Sequence, residues 1–104
     1  MLIRIVRMTF RPDALGTFME IFDRSAPLIL GVDGCRHLEL WQDDRYPNIV
    51  STYSLWSGPD ALERYRRSEL FRETWARTRP LFAAPPEAHS HTVLRRPNRG
   101  PQLA

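Results

Sequence analysis

Residues 2–10, LIRIVRMTF, read as a strand that is apolar on both faces. A period of two puts Leu2, Val6, Met8 and Phe10 on one face with Arg4, and Ile3 and Ile5 on the other with Arg7 and Thr9. A strand with one side in water alternates apolar and polar residues, so this one belongs to a sheet covered on two sides. At 104 residues the chain has room for one domain. Its 42% hydrophobic and 11% aromatic content is enough for a core. The question the sequence poses is what covers the second face.

The rest of the pattern supplies cover for one face. Pro12 and Asp13 open a helix whose Leu15, Phe18, Met19, Phe22 and Ala26 fall at helical spacing, and Pro27 is expected to bend or stop it. Gly31-Val32-Asp33-Gly34 reads as a turn. Residues 35–42 form a second strand, with Leu38 and Leu40 on one face and Cys35, His37, Glu39 and Trp41 on the other. A polar connection over residues 43–48 leads to a third strand at 49–56. Ser57-Gly58-Pro59-Asp60 starts a helix with Leu62, Tyr65 and Ala61 inward. Ser68 caps a further helical piece with the inner stripe Phe71, Thr74, Trp75 and Thr78, ending at Pro80. Glu63 with Arg67, Glu69 with Arg72 and Glu73 with Arg77 make its outer face a solvated one. After Pro85-Pro86, residues 89–94 read as a last short strand.

The order strand, helix, strand, strand, helix, strand is that of an α+β, ferredoxin-like antiparallel sheet with both helices on one face. The uncovered face carries Ile3 and Ile5, so a second copy of the chain is the expected cover. The expected organisation is one domain over residues 1–94 and a flexible basic tail over 95–104.

Charge and cysteine content exclude several classes. The net charge is +3, and all 15 basic residues are arginines. Without Arg95, Arg96 and Arg99 the basic and acidic totals are equal at 12, so the excess belongs to the tail and nucleic acid is not an expected partner. No apolar run approaches the roughly 20 residues of a membrane span, and the alternating start is unlike a secretory signal, so the expected location is the cytoplasm, with no membrane partner. Cys35 stands alone, which rules out an internal disulfide and reads as a small buried hydrophobe. His89 and His91 share a face two residues apart, but two imidazoles do not make a metal site, and none is expected.

Three stretches resemble the antibiotic biosynthesis monooxygenase superfamily of dimeric α+β barrels. They are the turn Val32-Asp33-Gly34-Cys35 running into a strand, the strand end Tyr53-Ser54-Leu55-Trp56, and Trp56-Ser57-x-x-x-Ala61-Leu62-x-x-Tyr65-x-x-Ser68-x-x-Phe71. The resemblance spans residues 2–94 and implies a homodimer with a ligand cavity between sheet and helices of each subunit. The enzymes of that superfamily include cofactor-free oxygenases of quinols or polyketide aromatics and haem-degrading oxygenases, and many of its members have no known role. Haem-degrading members carry an axial histidine where this chain has Trp75, a tryptophan where it has Tyr65 and an asparagine where it has Val6, so haem degradation is not expected. The polyketide oxygenases share a tryptophan at Trp56, but have an asparagine at the position of Thr52 and a tyrosine at that of Leu62.

The ligand-binding candidates are therefore Trp56, Tyr65 and Trp75 as walls for a flat ligand, with Thr52 beside them. Arg4 or Arg7, whichever shares a face with the helices, would hold a substrate anion. The expected function is a cofactor-independent monooxygenase of a small aromatic or quinol-like substrate. The alternatives are a non-catalytic small-molecule-binding or stress-related dimeric module, and a structural dimer in which the tryptophans only pack.

Overall fold

The computed structural model describes residues 1–100 of the chain. Its elements are β1 (Leu2–Thr9), a 3-10 turn at Pro12–Ala14, α1 (Leu15–Leu30), β2 (Cys35–Gln42), β3 (Ile49–Trp56), α2 (Pro59–Arg66), α3 (Glu69–Thr78), a second such turn at Arg79–Leu81, and β4 (Glu87–His91). The strands form one sheet in the order β2-β3-β1-β4, every pair antiparallel. This is the expected ferredoxin-like α+β fold, with three helical segments packed on one face of the sheet. Among the described residues, no helix is long and apolar enough to cross a membrane. Residues 95–100 are exposed and without regular structure, and residues 101–104 of the expected tail lie outside the described residues.

Strand register decides the faces. Leu2 pairs with Trp56, Arg4 with Ser54, Val6 with Thr52 and Met8 with Val50, and all eight side chains share the helix-covered face. Ile3, Ile5 and Arg7 pair with Leu55, Tyr53 and Ser51 on the other face. On that outer face Trp41 stacks on Tyr53 at 5.0 Å and remains 44% exposed. His37 and Trp41 both engage the Glu39 carboxylate there, the indole N–H donating at 2.7 Å. These two contacts hold the Glu39 carboxyl below its usual range.

The structure corrects several details of the pattern. A bulge between Cys35 and His37 shifts the register of β2, so Cys35 pairs with Trp56 and packs with the inner cluster instead of sharing a face with His37. Burial pushes the Cys35 thiol up, away from the thiolate form. α1 runs straight through Pro27 to Leu30. Proline forfeits the hydrogen bond to Asp23, but both residues are exposed, so water satisfies the freed carbonyl. The longer helix turns a stripe of Phe18, Ile21, Ser25 and Ile29 inward and leaves Met19 38% exposed. α2 has Gly58 at its N-cap, with no side-chain cap from Ser57. The last strand starts at Glu87 and stops at His91, because His91 already pairs with Ile3 near the end of β1.

Gly34 is the tightest point of the fold. Its φ is +88°, and a Cβ there would lie 2.4 Å from the Ala61 Cβ. Only glycine lets the β2 turn touch α2, and its carbonyl accepts the Ser57 amide at 2.8 Å.

Candidate active site

The core is built in two halves. Leu2, Ile29, Trp56, Ala61 and Leu62 form one cluster, and Met8, Phe10, Phe18 and Val50 the other. Between them the inward positions are small or polar: Arg4, Thr52 and Ser54 from the sheet, Ser25 from α1, and Thr74 and Thr78 from α3. These side chains are too short or too hydrophilic to close the gap, and a cavity of about 290 Å3 remains. Its lining is otherwise apolar, with Val6, Met8, Phe18, Phe22, Ile29 and Leu38 among the contributors.

The helices supply an aromatic wall. The Ser68 hydroxyl accepts the Phe71 amide at 3.2 Å, which separates α3 from α2 and sets the phase of the new helix. From that start, Phe71 and Trp75 stack at 5.9 Å with planes 9° apart. Tyr65 stacks on Trp56 at 5.0 Å and meets Phe71 edge-on at 5.3 Å. The result is a continuous line of rings, Trp56, Tyr65, Phe71 and Trp75, along one side of the cavity. Flat, electron-rich ligands stack on such a surface.

Trp56 is fixed by more than packing. It is 1% exposed, and its indole N–H donates to the Ser54 Oγ at 2.9 Å. Ser54 in turn donates to the Arg4 carbonyl at 3.4 Å, which ties the ring to the middle of β1. Ser25 and Thr78 satisfy themselves on their own helices, donating to the Phe22 and Thr74 carbonyls. The hydroxyls of Ser25, Ser54 and Thr78 therefore all have partners within the protein.

Two groups give the cavity its electrostatics. Burial, with a smaller push from Cys35, raises the Tyr65 phenol to about 12, so it keeps its proton at neutral pH and acts as a donor, not a base. Arg4 reaches across to β4 and donates to the Ser90 Oγ at 3.0 Å. Burial and then the like charge of Arg66 lower the Arg4 guanidinium from its ordinary value, yet an arginine stays charged. No Asp, Glu or His is among the residues lining the cavity.

Of the sequence candidates, Arg4, Thr52, Trp56, Tyr65 and Trp75 all line this one cavity. Arg7 does not. It sits on the opposite sheet face, beside Trp41, Asp43 and Asp44, because β1 alternates and Arg4 took the inward position. The three histidines do not converge: His37 is on β2 and His89 and His91 on β4, at opposite edges of the sheet and on its outer face. Among the described residues no group of three or more His, Cys, Asp or Glu side chains is placed to hold a metal ion. The position that matched the axial ligand of haem-degrading members is Trp75, and no histidine elsewhere reaches the cavity. Sequence reasoning missed Ser54, Ser25 and Arg66. Arg66 had a signal, since it follows the inward Leu62 by four residues and so shares its helix face.

With this geometry in hand, comparison with known proteins is specific. The sequence profile described as antibiotic biosynthesis monooxygenase matches residues 1–77, from β1 nearly to the end of α3. The chain belongs to the antibiotic biosynthesis monooxygenase family. No curated protein matches it in sequence. Among solved structures, Rv0793 from Mycobacterium tuberculosis is 21% identical, with a TM-score of 0.84 over 93% of this chain and 98% of that one. A conserved protein from Methanosarcina mazei Go1 is 21% identical, with a TM-score of 0.82 over 86% and 90%. A mutant of SnoaB, a cofactor-independent oxygenase from Streptomyces nogalater, is 20% identical, with a TM-score of 0.81 over 91% and 94%. At such identities the likeness to these three structures is one of backbone.

Proposed function

We propose that the protein is a cofactor-independent monooxygenase that oxidises a small aromatic or quinol-like substrate in the cavity between sheet and helices. The observation that carries this reading is a half-buried, carboxylate-free Arg4 in an aromatic-walled space, an arrangement that favours a flat molecule once it becomes an anion. In a mostly apolar site the guanidinium charge acts at low dielectric and lowers the pKa of a bound phenol or quinol. With no protein carboxylate or imidazole lining the cavity, the substrate proton leaves to solvent. The carbanion-like ring then gives electrons to O2, and one carbon–oxygen bond forms. The resulting peroxide takes up a proton and eliminates water, leaving a new carbonyl, with one oxygen atom in the product and one in water. The Tyr65 hydroxyl and Arg4 stabilise the oxyanions along this path, and Trp56 and Trp75 hold the ring.

The test is oxygen uptake by the purified protein with a panel of hydroquinones and anthrone-like compounds, in the presence of a chelator. Uptake of one O2 per substrate is expected, and Arg4→Gln should slow it by about 100-fold. A second reading, a non-catalytic or stress-related binding module, is favoured by one observation: Thr52 and Leu62 line the cavity where the polyketide oxygenases have an asparagine and a tyrosine. Binding of these compounds without oxygen uptake would select it.

The same proposal includes a homodimer. Ile3, Ile5, Tyr53, Leu55 and Trp41 form an outer sheet face that no helix covers, and a second copy facing it about a two-fold axis would bury all of them. Sedimentation at micromolar concentration should find a dimer, and Ile5→Glu, at the centre of that face, should convert it to a folded monomer. A wild-type monomer would remove this part. A cytoplasmic location accords with a chain whose lone cysteine forms no internal disulfide.

A further inference from the structure

Two arginines line one mostly apolar cavity, and among the described residues no carboxylate lines it with them. Charged groups withdrawn from water are ordinarily paired. Among the described residues, Arg4 has only the neutral Ser90 hydroxyl as a side-chain partner. Arg66 has one carboxylate contact, Glu63 at 3.9 Å, and Glu63 makes a closer one, 3.1 Å, to Arg67. Arg66 lies one helical turn beyond Leu62, so α2 carries it toward the cavity, whereas Arg67 points away. Its side chain is 48% exposed, which puts it where the cavity meets solvent, with Arg4 deeper. The two like charges act on each other, since Arg66 contributes to lowering Arg4. Among the described residues, the only carboxylate near either charge is the shared Glu63, and it stands outside the cavity lining.

We infer that the ligand is an aromatic carboxylate whose ring lies against Trp75 and Tyr65 and whose carboxylate is taken by Arg66 at the mouth of the cavity. The inference rests on the cavity being the substrate site, and adds a permanent charge to the substrate and a binding residue to the protein. Arg4 is left to face the ring oxygen. A planar guanidinium fork matches a carboxylate in two parallel hydrogen bonds, which an ammonium would not. The cavity volume lies at the bottom of the roughly 300–1,000 Å3 range of ligand pockets, and suits one or two fused rings.

The experiment is calorimetric titration at neutral pH with a hydroxynaphthoate and the corresponding hydroxynaphthamide, which share ring and hydroxyl and differ in charge. The wild type should bind the acid at least about 10-fold more tightly, and that preference should shrink as salt is added. Arg66→Gln should abolish most of the preference and leave the amide affinity within about two-fold, since it removes a charge-assisted bond the amide never made. Arg67→Gln, which takes the same charge from the same helix end outside the cavity, should keep the preference. Equal affinity for acid and amide overturns the inference and leaves the cavity as a site for neutral aromatics, and so does a preference that survives Arg66→Gln or is lost equally in Arg67→Gln. Failure of both ligands to bind overturns the inference together with the reading of the cavity. Acid preference with no oxygen uptake supports the inference and moves the protein to the binding-module reading.

Discussion

Removing the Ser54 hydroxyl tests whether Trp56 is held in place or merely packed. In Ser54→Ala the indole N–H loses its 2.9 Å acceptor while remaining almost wholly buried. A buried donor left unsatisfied costs about 1–3 kcal/mol, and the adjoining cavity lets water recover part of it, so a loss of about 1.5 kcal/mol is expected. For a domain near 100 residues that lowers Tm by roughly 6–12 °C. Urea unfolding followed by circular dichroism should show a lower midpoint with an unchanged slope. The discriminating step is a double-mutant cycle with Trp56→Phe, which keeps an aromatic ring against Tyr65 and has no N–H. In that background Ser54→Ala should cost less than about 0.5 kcal/mol, giving a coupling near 1 kcal/mol. If Ser54→Ala is equally costly in both backgrounds, the serine acts through the Arg4 carbonyl and the indole is not its client.

Two further outcomes follow from the packing and the titration of the site. Gly34→Ala must force a Cβ into Ala61 at a positive φ, and should destabilise the fold by about 2–5 kcal/mol in the same urea assay; a loss below about 1 kcal/mol would mean the turn and α2 separate freely. The folded Tyr65 pKa of about 12 lies above its ordinary 10.0, so its contribution to stability is complete below pH 10 and is lost as the pH rises toward 12, by about 2–3 kcal/mol. Unfolding of the Cys35→Ala chain across that range, with and without Tyr65→Phe, should show this loss only where the phenol is present; equal slopes would refute it.

The fold was readable because it rests on periodicity. The two-faced first strand, the order of elements and the inward positions of Leu62, Tyr65, Phe71 and Trp75 are all consequences of alternation at two and at 3.6, which sequence displays directly. Where the reading slipped, a local irregularity broke the period. The bulge after Cys35 reversed that residue's face, and solvent around Pro27 let α1 continue and rotate its buried stripe from Met19 toward Ile21 and Ile29. The walls of the cavity are legible for the same reason as the core: they are large aromatics at inward positions. The choice between Arg4 and Arg7 stayed open, since which face meets the helices depends on pairing three strands. Ser54 and Ser25 were invisible for a different reason, as a small polar residue on an inward face means a cavity only when its neighbours across the layer are also short.

That coincidence of short residues is the strongest physical statement the molecule makes about itself. Arg4, Thr52 and Ser54 face Ser25, Thr74 and Thr78 across the gap between sheet and helices, three on each side. A core selected for stability alone would fill this level with leucine and valine and join its two clusters, as interiors normally pack without voids. The buried hydroxyls of Ser25, Ser54 and Thr78 each bond to a nearby backbone carbonyl, so these three side chains are satisfied within the protein. Arg4 at that level differs, since its charge is partly withdrawn from water and met by one serine hydroxyl. On the function proposed above, short hydroxyl-bearing side chains beside a cation with no carboxylate in the lining are what an anionic ligand would use. On the same reading, the rings of Trp56, Tyr65 and Trp75 favour a flat anion.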